Sequence, residues 1–320
     1  MAKFLSVGSA LQDIYLIDHD DLKPTAIGEE SIFGKILVGS KVDIDRLSYE
    51  VGGGAVNSAI SFARHGHEAA AMVNISHDMA GDAILRVLDC EGVDTRYVKY
   101  VKDKSTGSSV VLLDSRGGER TILTYRGASA KFDDFDESVL ELLKPDYMYI
   151  TTMRGDIKTL SKFLEKAAKT GAKVMLNPGV KELEKSSEIL KLLKYVNILL
   201  VNKHEAMELV PGTNLEELLY HLKNYVETVI ITDGPMGGIA TDGIEVYRFG
   251  LYEDVKIKDA TGAGDAFGSG YLAAIASGKS FRRAIVFASA NSTSVITKIG
   301  ANKGILTGKE TLHPMPIQKI

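Results

Sequence analysis

The sequence predicts an α/β protein built on a doubly wound, mainly parallel sheet with helices on both faces. Three observations carry this. Short β-rich apolar runs alternate with amphipathic stretches through most of the 320 residues, the pattern of parallel strands joined by crossover helices. Ile198-Leu199-Leu200-Val201 is apolar without a break, as a central strand buried on both sides requires. A glycine-rich segment at 258–270 opens an apolar helix late in the chain.

Taken in order, strands are expected at 4–7, 70–75, 147–151, 173–176, 198–201 and 228–232, each a short run bounded by polar or glycine residues. Helices are expected between them at 55–65, 79–91, 157–170, 181–194 and 215–225, where apolar residues recur at helical spacing, as in Leu160, Phe163, Leu164 and Ala167. A helix over 281–297 follows near the end. Two stretches, about 14–49 and 97–125, break the rhythm: they carry strand-like segments (109–113, then 121–124) around a turn at Ser115-Arg116-Gly117-Gly118, with no helix between. They are expected to be antiparallel strands forming one small lid within a single domain spanning 1–320. Exposed lid edges leave a homodimer open.

Composition narrows the function. The net charge is -4 with the basic residues dispersed, which gives no footprint for nucleic acid or an anionic membrane. Cys90 is the single cysteine, so no internal disulfide can form; with no signal-peptide pattern at the start, the cytoplasm is the expected compartment. Gly278-Lys279-Ser280 lacks the upstream glycine of a phosphate loop, and Gly268-Ser269-Gly270 lies inside a helix pattern, where it predicts close helix packing.

The chemistry is concentrated in Lys258-Asp259-Ala260-Thr261-Gly262-Ala263-Gly264-Asp265-Ala266. A Gly-Ala-Gly loop opening a helix gathers unpaired N–H groups and the positive end of the helix dipole at one point, an anion hole. Asp265 in the first turn faces that point, where a carboxylate suits a general base for an attacking hydroxyl. An ordinary acidic helix start explains the residue equally well.

Asp-x-Thr-Gly-Ala-Gly-Asp resembles the C-terminal signature of the ribokinase, or PfkB-type carbohydrate kinase, family. Val51-Gly52-Gly53-Gly54-Ala55-Val56-Asn57, running on to Ala63-Arg64-His65-Gly66, is similar to its N-terminal one, and Asn202-Lys203-His204-Glu205 to its Asn-x-x-Glu motif. The resemblance implies a ribokinase-like fold and an ATP- and Mg²⁺-dependent kinase. It implies Asp265 as base, with the amides of Gly262, Ala263 and Gly264 on the transferring phosphoryl group. Asn202 and Glu205 would organise Mg²⁺ through water, and Thr232, Gly234 and Gly237 would approach the nucleotide. Asn291 would touch adenine or satisfy a buried polar contact. Asp13, Gly52, Gly53, Gly54 and Asn57 would receive the acceptor, although Asn57 also suits a helix N-cap. Asp259, Thr261 and Gly300 match part of a monovalent-cation site of several members, which leaves potassium activation open.

Ribokinases proper have lysine where this chain has Gly54, and an acidic residue where it has Met153-Arg154. These departures point away from ribose. Arg126 and Arg154, if both face the acceptor, favour an acidic or phosphorylated sugar, because guanidinium binds such groups bidentately. A nucleoside acceptor is the alternative, with Phe33, Ile36 and Tyr125 as candidate walls for a base.

Overall fold

The computed structural model describes residues 1–17, 43–113, 120–132 and 135–320, with Gly39, Lys41 and the backbone of 25–26 and 32–33. The turn read at 115–118, Ile36 and the Phe33 side chain lie outside the described residues. A nine-stranded sheet runs in the order Ile317–Lys319, Val246–Phe249, Gly238–Thr241, Thr228–Thr232, Ile198–Asn202, Lys173–Leu176, Tyr147–Ile150, Lys3–Val7, Glu68–Met72. The last six are parallel, and they are the six that the apolar runs predict. The chain leaves Lys3–Val7 first for Glu68–Met72 on one side and later for Tyr147–Ile150 on the other. This reversal opens a crevice at the C-terminal ends of the first strand and its neighbour.

Alternation within each strand divides the interior into two cores. Phe4, Tyr149, Ile198 and Leu200 face helices Gly54–Arg64, Ala263–Ala276 and Phe281–Ile296, while Leu5, Val7, Met148, Ile150, Leu199 and Val201 face helix Ile157–Thr170 and its neighbours. The uninterrupted run at 198–201 is thus buried on both sides. Helix Ala263–Ala276 comes unusually near the sheet: a methyl group at Gly268 would lie 2.5 Å from the Tyr149 hydroxyl.

A second, four-stranded sheet has the order Arg120–Tyr125, Ser108–Leu113, Leu11–Ile17, Arg46–Gly52. The pairing corrects the all-antiparallel expectation, because Leu11–Ile17 runs parallel to Ser108–Leu113. The stretch from 97 also begins elsewhere, since Lys99–Tyr100 pairs with Asn74–Ile75. One face of this sheet carries Asp13, Tyr15, Ser109 and Arg120. Tyr15, Ile17, Val111 and Leu113 on that face form a small core that packs against Ile299.

Other elements differ from the sequence expectation. The stretch 181–194 is not one helix but Val180–Leu183, Ser186–Leu192 and a short 3₁₀ turn, Leu193–Tyr195. The break falls where Glu182 and Lys185 turn inward to bond the loop after Tyr147–Ile150. Helix Lys203–Leu209 and the three antiparallel strands after 237 are additions.

Candidate active site

Helix Ala263–Ala276 begins beside the crevice. Gly262, its N-cap, adopts a left-handed conformation (φ 79°), and a Cβ there would lie 2.6 Å from the Ala301 Cβ and carbonyl, so the sharp entry requires glycine. Ala263 makes only a long 3.4 Å backbone contact to Ala260, and among the described residues the N–H groups of Gly264 and Asp265 take no protein acceptor. Gly264 is exposed with no atom within 4 Å of where a side chain would begin. The helix mouth is therefore open, with donors aimed outward, as an anion site requires.

Asp265 sits half-buried in that first turn. Its Oδ2 accepts a 2.9 Å hydrogen bond from Asn57 Nδ2. Asn57 is not an N-cap; it lies in the first turn of helix Gly54–Arg64, 3% exposed. The orientation of its amide follows from Asn302, whose Nδ2 donates to Val51 O at 2.7 Å and to Asn57 Oδ1 at 3.3 Å. With Oδ1 so engaged, Asn57 must present its N–H₂ to the carboxylate. Burial raises the Asp265 pKa, and the Asn57 bond opposes that rise by favouring the charged form. Because only the deprotonated carboxylate can accept a proton, Asn57→Ala is expected to move the acid limb of kcat/KM to higher pH. A pH-rate profile of the variant checks this, and an unmoved limb would detach Asn57 from the titration.

Asn202 and Glu205 form a reciprocal cap on helix Lys203–Leu209: Asn202 Oδ1 accepts from Glu205 N at 2.9 Å and Glu205 Oε2 accepts from Asn202 N at 2.8 Å. Burial raises the Glu205 pKa, and Asp265 adds to the rise. The Tyr149 hydroxyl, fully buried, has no hydrogen-bond partner among the described residues and lies within reach of the fields of both carboxylates. Two mutually repelling carboxylates fit a hydrated Mg²⁺ held mainly by phosphate and water. Among the described residues no cluster of three acidic, histidine or cysteine side chains could hold a metal directly.

A cleft of about 270 Å³ adjoins the mouth, reaching Ala263 and Gly264 and walled by Thr232, Gly234, Gly237, Phe249, Phe267 and Ile296 among others. Asn291 is not in it. That side chain is fully buried, donating to Ala266 O at 2.7 Å and accepting from Leu306 N at 2.8 Å. The buried-contact alternative describes Asn291, and the adenine contact is corrected.

On the other side of Asp265, Asp13 is 5% exposed, bonded by the Ser109 hydroxyl and close against Gly52. Burial raises its pKa. Gly54 leaves room for Thr151: a Cβ there would come within 2.7 Å of the threonine methyl. Burial and the charge of Arg154 depress the basicity of Arg126, while Asp13 supports it. Tyr125 is 54% exposed and pairs with Ser108, on the face opposite Asp13 and Ser109, so it is not a wall for a base.

Asp259 is fully buried, and its carboxylate is already occupied. Oδ1 accepts from Thr261 N (2.9 Å) and Thr261 Oγ1 (2.6 Å), and Oδ2 from the Tyr15 hydroxyl (2.7 Å) and Gly300 N (3.2 Å). Four donors fill the roughly four lone-pair sites of a carboxylate, and the Arg120 guanidinium, 3.7 Å from Oδ1, supplies the positive charge. The three residues expected beside a monovalent cation are thus brought together, with Thr261 and Gly300 donating to the Asp259 carboxylate.

An open anion hole, an oriented carboxylate and a cleft at the C-terminal ends of a doubly wound sheet define a phosphoryl-transfer enzyme. The pfkB family carbohydrate kinase model matches residues 1–307, and the chain belongs to that family: it is a phosphotransferase acting on an alcohol group, a sugar or nucleoside kinase. It is 29% identical over 279 residues to a ribokinase of Haemophilus influenzae, covering 82% of this chain and 86% of that one. It is 26% identical over 245 residues to a 2-dehydro-3-deoxygluconokinase of the same organism, covering 69% and 78%. Its fold matches that of Arabidopsis thaliana ribokinase complexed with ribose and ATP at a TM-score of 0.77, with 23% identity over 95% of each chain. No helix among the described residues is long and apolar enough to cross a membrane.

Proposed function

We propose that the enzyme transfers the γ-phosphoryl group of ATP to a hydroxyl of a sugar or sugar-acid acceptor. The observation that carries this reading is the Asp265 carboxylate, oriented by Asn57 and Asn302 beside the unpaired N–H groups of the helix mouth. The acceptor lies between Asp13 and Gly52, Gly53 and Gly54, with its hydroxyl against Asp265. As the acceptor oxygen bonds to the γ-phosphorus, Asp265 takes the hydroxyl proton. The bond to the β–γ bridging oxygen breaks, and its electron pair leaves on ADP. The amides of Ala263 and Gly264, with the turn at Gly262, stabilise charge on the transferring group. Thr232, Gly234 and Gly237 border the nucleotide cleft. Asn202 and Glu205 would hold the waters of Mg²⁺, which when bound screens the phosphate charge.

The four-stranded sheet serves as a lid of the single domain. Its outer face exposes Leu47, Tyr49, Leu123 and Tyr125, each at least half exposed, a surface suited to a second copy of the chain. Sedimentation as a monomer at micromolar concentration would remove the dimer.

ADP release measured with ATP and a panel of pentoses, hexoses, sugar acids, sugar phosphates and nucleosides tests the function. Release that depends on a sugar or sugar derivative is expected. Release only with nucleosides would make this a nucleoside kinase, and none with any acceptor would leave a binding protein.

A further inference from the structure

Strand Ile198–Asn202 and helix Ala263–Ala276 meet where Gly268 passes Leu200: a Cβ on the glycine would lie 2.7 Å from Leu200 Cδ2. From that contact, Gly264 lies about 6 Å back along the helix, at roughly 1.5 Å of rise per residue. Asn202 lies about 6.6 Å on along the strand, at roughly 3.3 Å per residue. The helix begins, and the strand ends, at the crevice, so the residue after Asn202 stands level with the open amides of the mouth. That residue is Lys203.

Lys203 Nζ lies 3.7 Å from Asp233 Oδ2, and among the described residues the ammonium makes no hydrogen bond. A contact of that length is an ion pair without a hydrogen bond, and such a pair adds little to stability. Asp233 is held as loosely. It stands at the N-cap of the 3₁₀ turn Gly234–Met236, where an aspartate side chain often takes a backbone N–H, yet it caps nothing. Its neighbours in the chain, Thr232 and Gly234, line the nucleotide cleft, and Thr232 is the register partner of Asn202. The pair therefore bridges the ends of two adjacent strands beside the cleft. Its side chains are 31% and 27% exposed, sheltered enough that a charge there is only partly screened by water.

Asp265 and Glu205 place two carboxylates at this level, and Asp233 adds a third. A nucleoside triphosphate entering here brings further negative charge, which the amides of the mouth meet with partial charges only. An ammonium on a flexible four-carbon stem, held by one long contact, can leave that contact for a phosphate oxygen and donate a charge-assisted hydrogen bond to it.

We propose that Lys203 is a phosphate-binding residue of this enzyme: its ammonium leaves Asp233 when the nucleotide binds and bonds the terminal phosphate oxygens at the helix mouth, and Asp233 is the resting partner that competes with them. The ammonium keeps its proton throughout. This rests on the reading that the mouth formed by Ala263 and Gly264 receives the γ-phosphoryl group.

The test gives the two residues opposite signs. Binding of ATP, ADP and AMP with Mg²⁺ is measured by calorimetry on the full chain without acceptor, and kcat and KM for ATP with an acceptor that releases ADP. Lys203→Met is expected to weaken ATP binding by about 30-fold, the worth of a hydrogen bond to a charged group, while AMP, which lacks the terminal phosphates, changes by less than about twofold. Lys203→Arg should retain most of the affinity. Asp233→Asn is expected to tighten ATP binding by up to about fivefold, because the competing partner is gone. A purely structural ion pair gives another pattern: both substitutions lower the melting temperature and weaken all three nucleotides alike, and that result overturns the proposal. Unchanged ATP binding in Lys203→Met overturns it as well. Because the binding arm needs no acceptor, the two readings fail separately. A chain that loses ATP with Lys203→Met but phosphorylates no acceptor keeps the lysine assignment and loses the kinase reading; a chain that phosphorylates an acceptor equally well with Lys203→Met keeps the kinase reading and loses the assignment.

Discussion

Asp265→Asn is expected to lower turnover by about 10³-fold, within the range a positioned general base contributes, while equilibrium binding of ATP stays within a few-fold of the parent. Asparagine fills the same space and can still accept the Asn57 hydrogen bond at its carbonyl oxygen, so neither the helix entry nor its open amides should move. What is lost is basicity. The substitution also removes a charge whose burial opposes ionisation, so the melting temperature should not fall. Turnover above one tenth of the parent would show that the proton leaves by another route.

The second large effect separates two neighbouring glycines. A Cβ added at Gly264 would meet no side chain or distant backbone within 4 Å, and leucine favours a helix by roughly 0.5–1 kcal/mol over glycine, so Gly264→Leu should fold at least as well as the parent. The same open space is where the phosphoryl group must lie, and a side chain there should reduce turnover by about 10²-fold or more, the cost of losing one anion-stabilising donor. Gly262→Leu should instead compromise folding, because its side chain would strike Ala301 and its backbone is left-handed. A thermal melt beside an ADP-release assay distinguishes the cases. If both variants lose folding and activity together, the segment is a structural turn alone.

Local rules made much of the architecture readable. The six parallel strands and most of the helices between them rest on periodicities that each segment carries in itself, and the helix mouth at 262–265 rests on a contiguous run of residue types. Residues whose meaning depends on a distant partner stayed hidden. Asn302 acquires its role only by meeting Asn57, 245 positions away. Tyr149 is an unremarkable apolar member of a strand until Gly268 lets a helix pass over its hydroxyl. Glu182 looks like one acidic residue in an amphipathic helix, and the inward turn that breaks that helix is visible only against the loop it bonds. Asn291 shows the reverse error, a polar residue near the site whose amide is consumed by the backbone. Tyr15 and Arg120 stayed hidden for a related reason: they come from other strands, and sequence spacing cannot show that they surround Asp259.

That arrangement around Asp259 ties two elements together. Tyr15 and Arg120 belong to the four-stranded sheet, whereas Asp259 begins the turn that delivers Gly262 to the helix. If that sheet covers the acceptor as proposed, its seating and the shape of the helix mouth are expected to depend on one another, and Tyr15→Phe is expected to raise the ADP released from ATP when no acceptor is supplied.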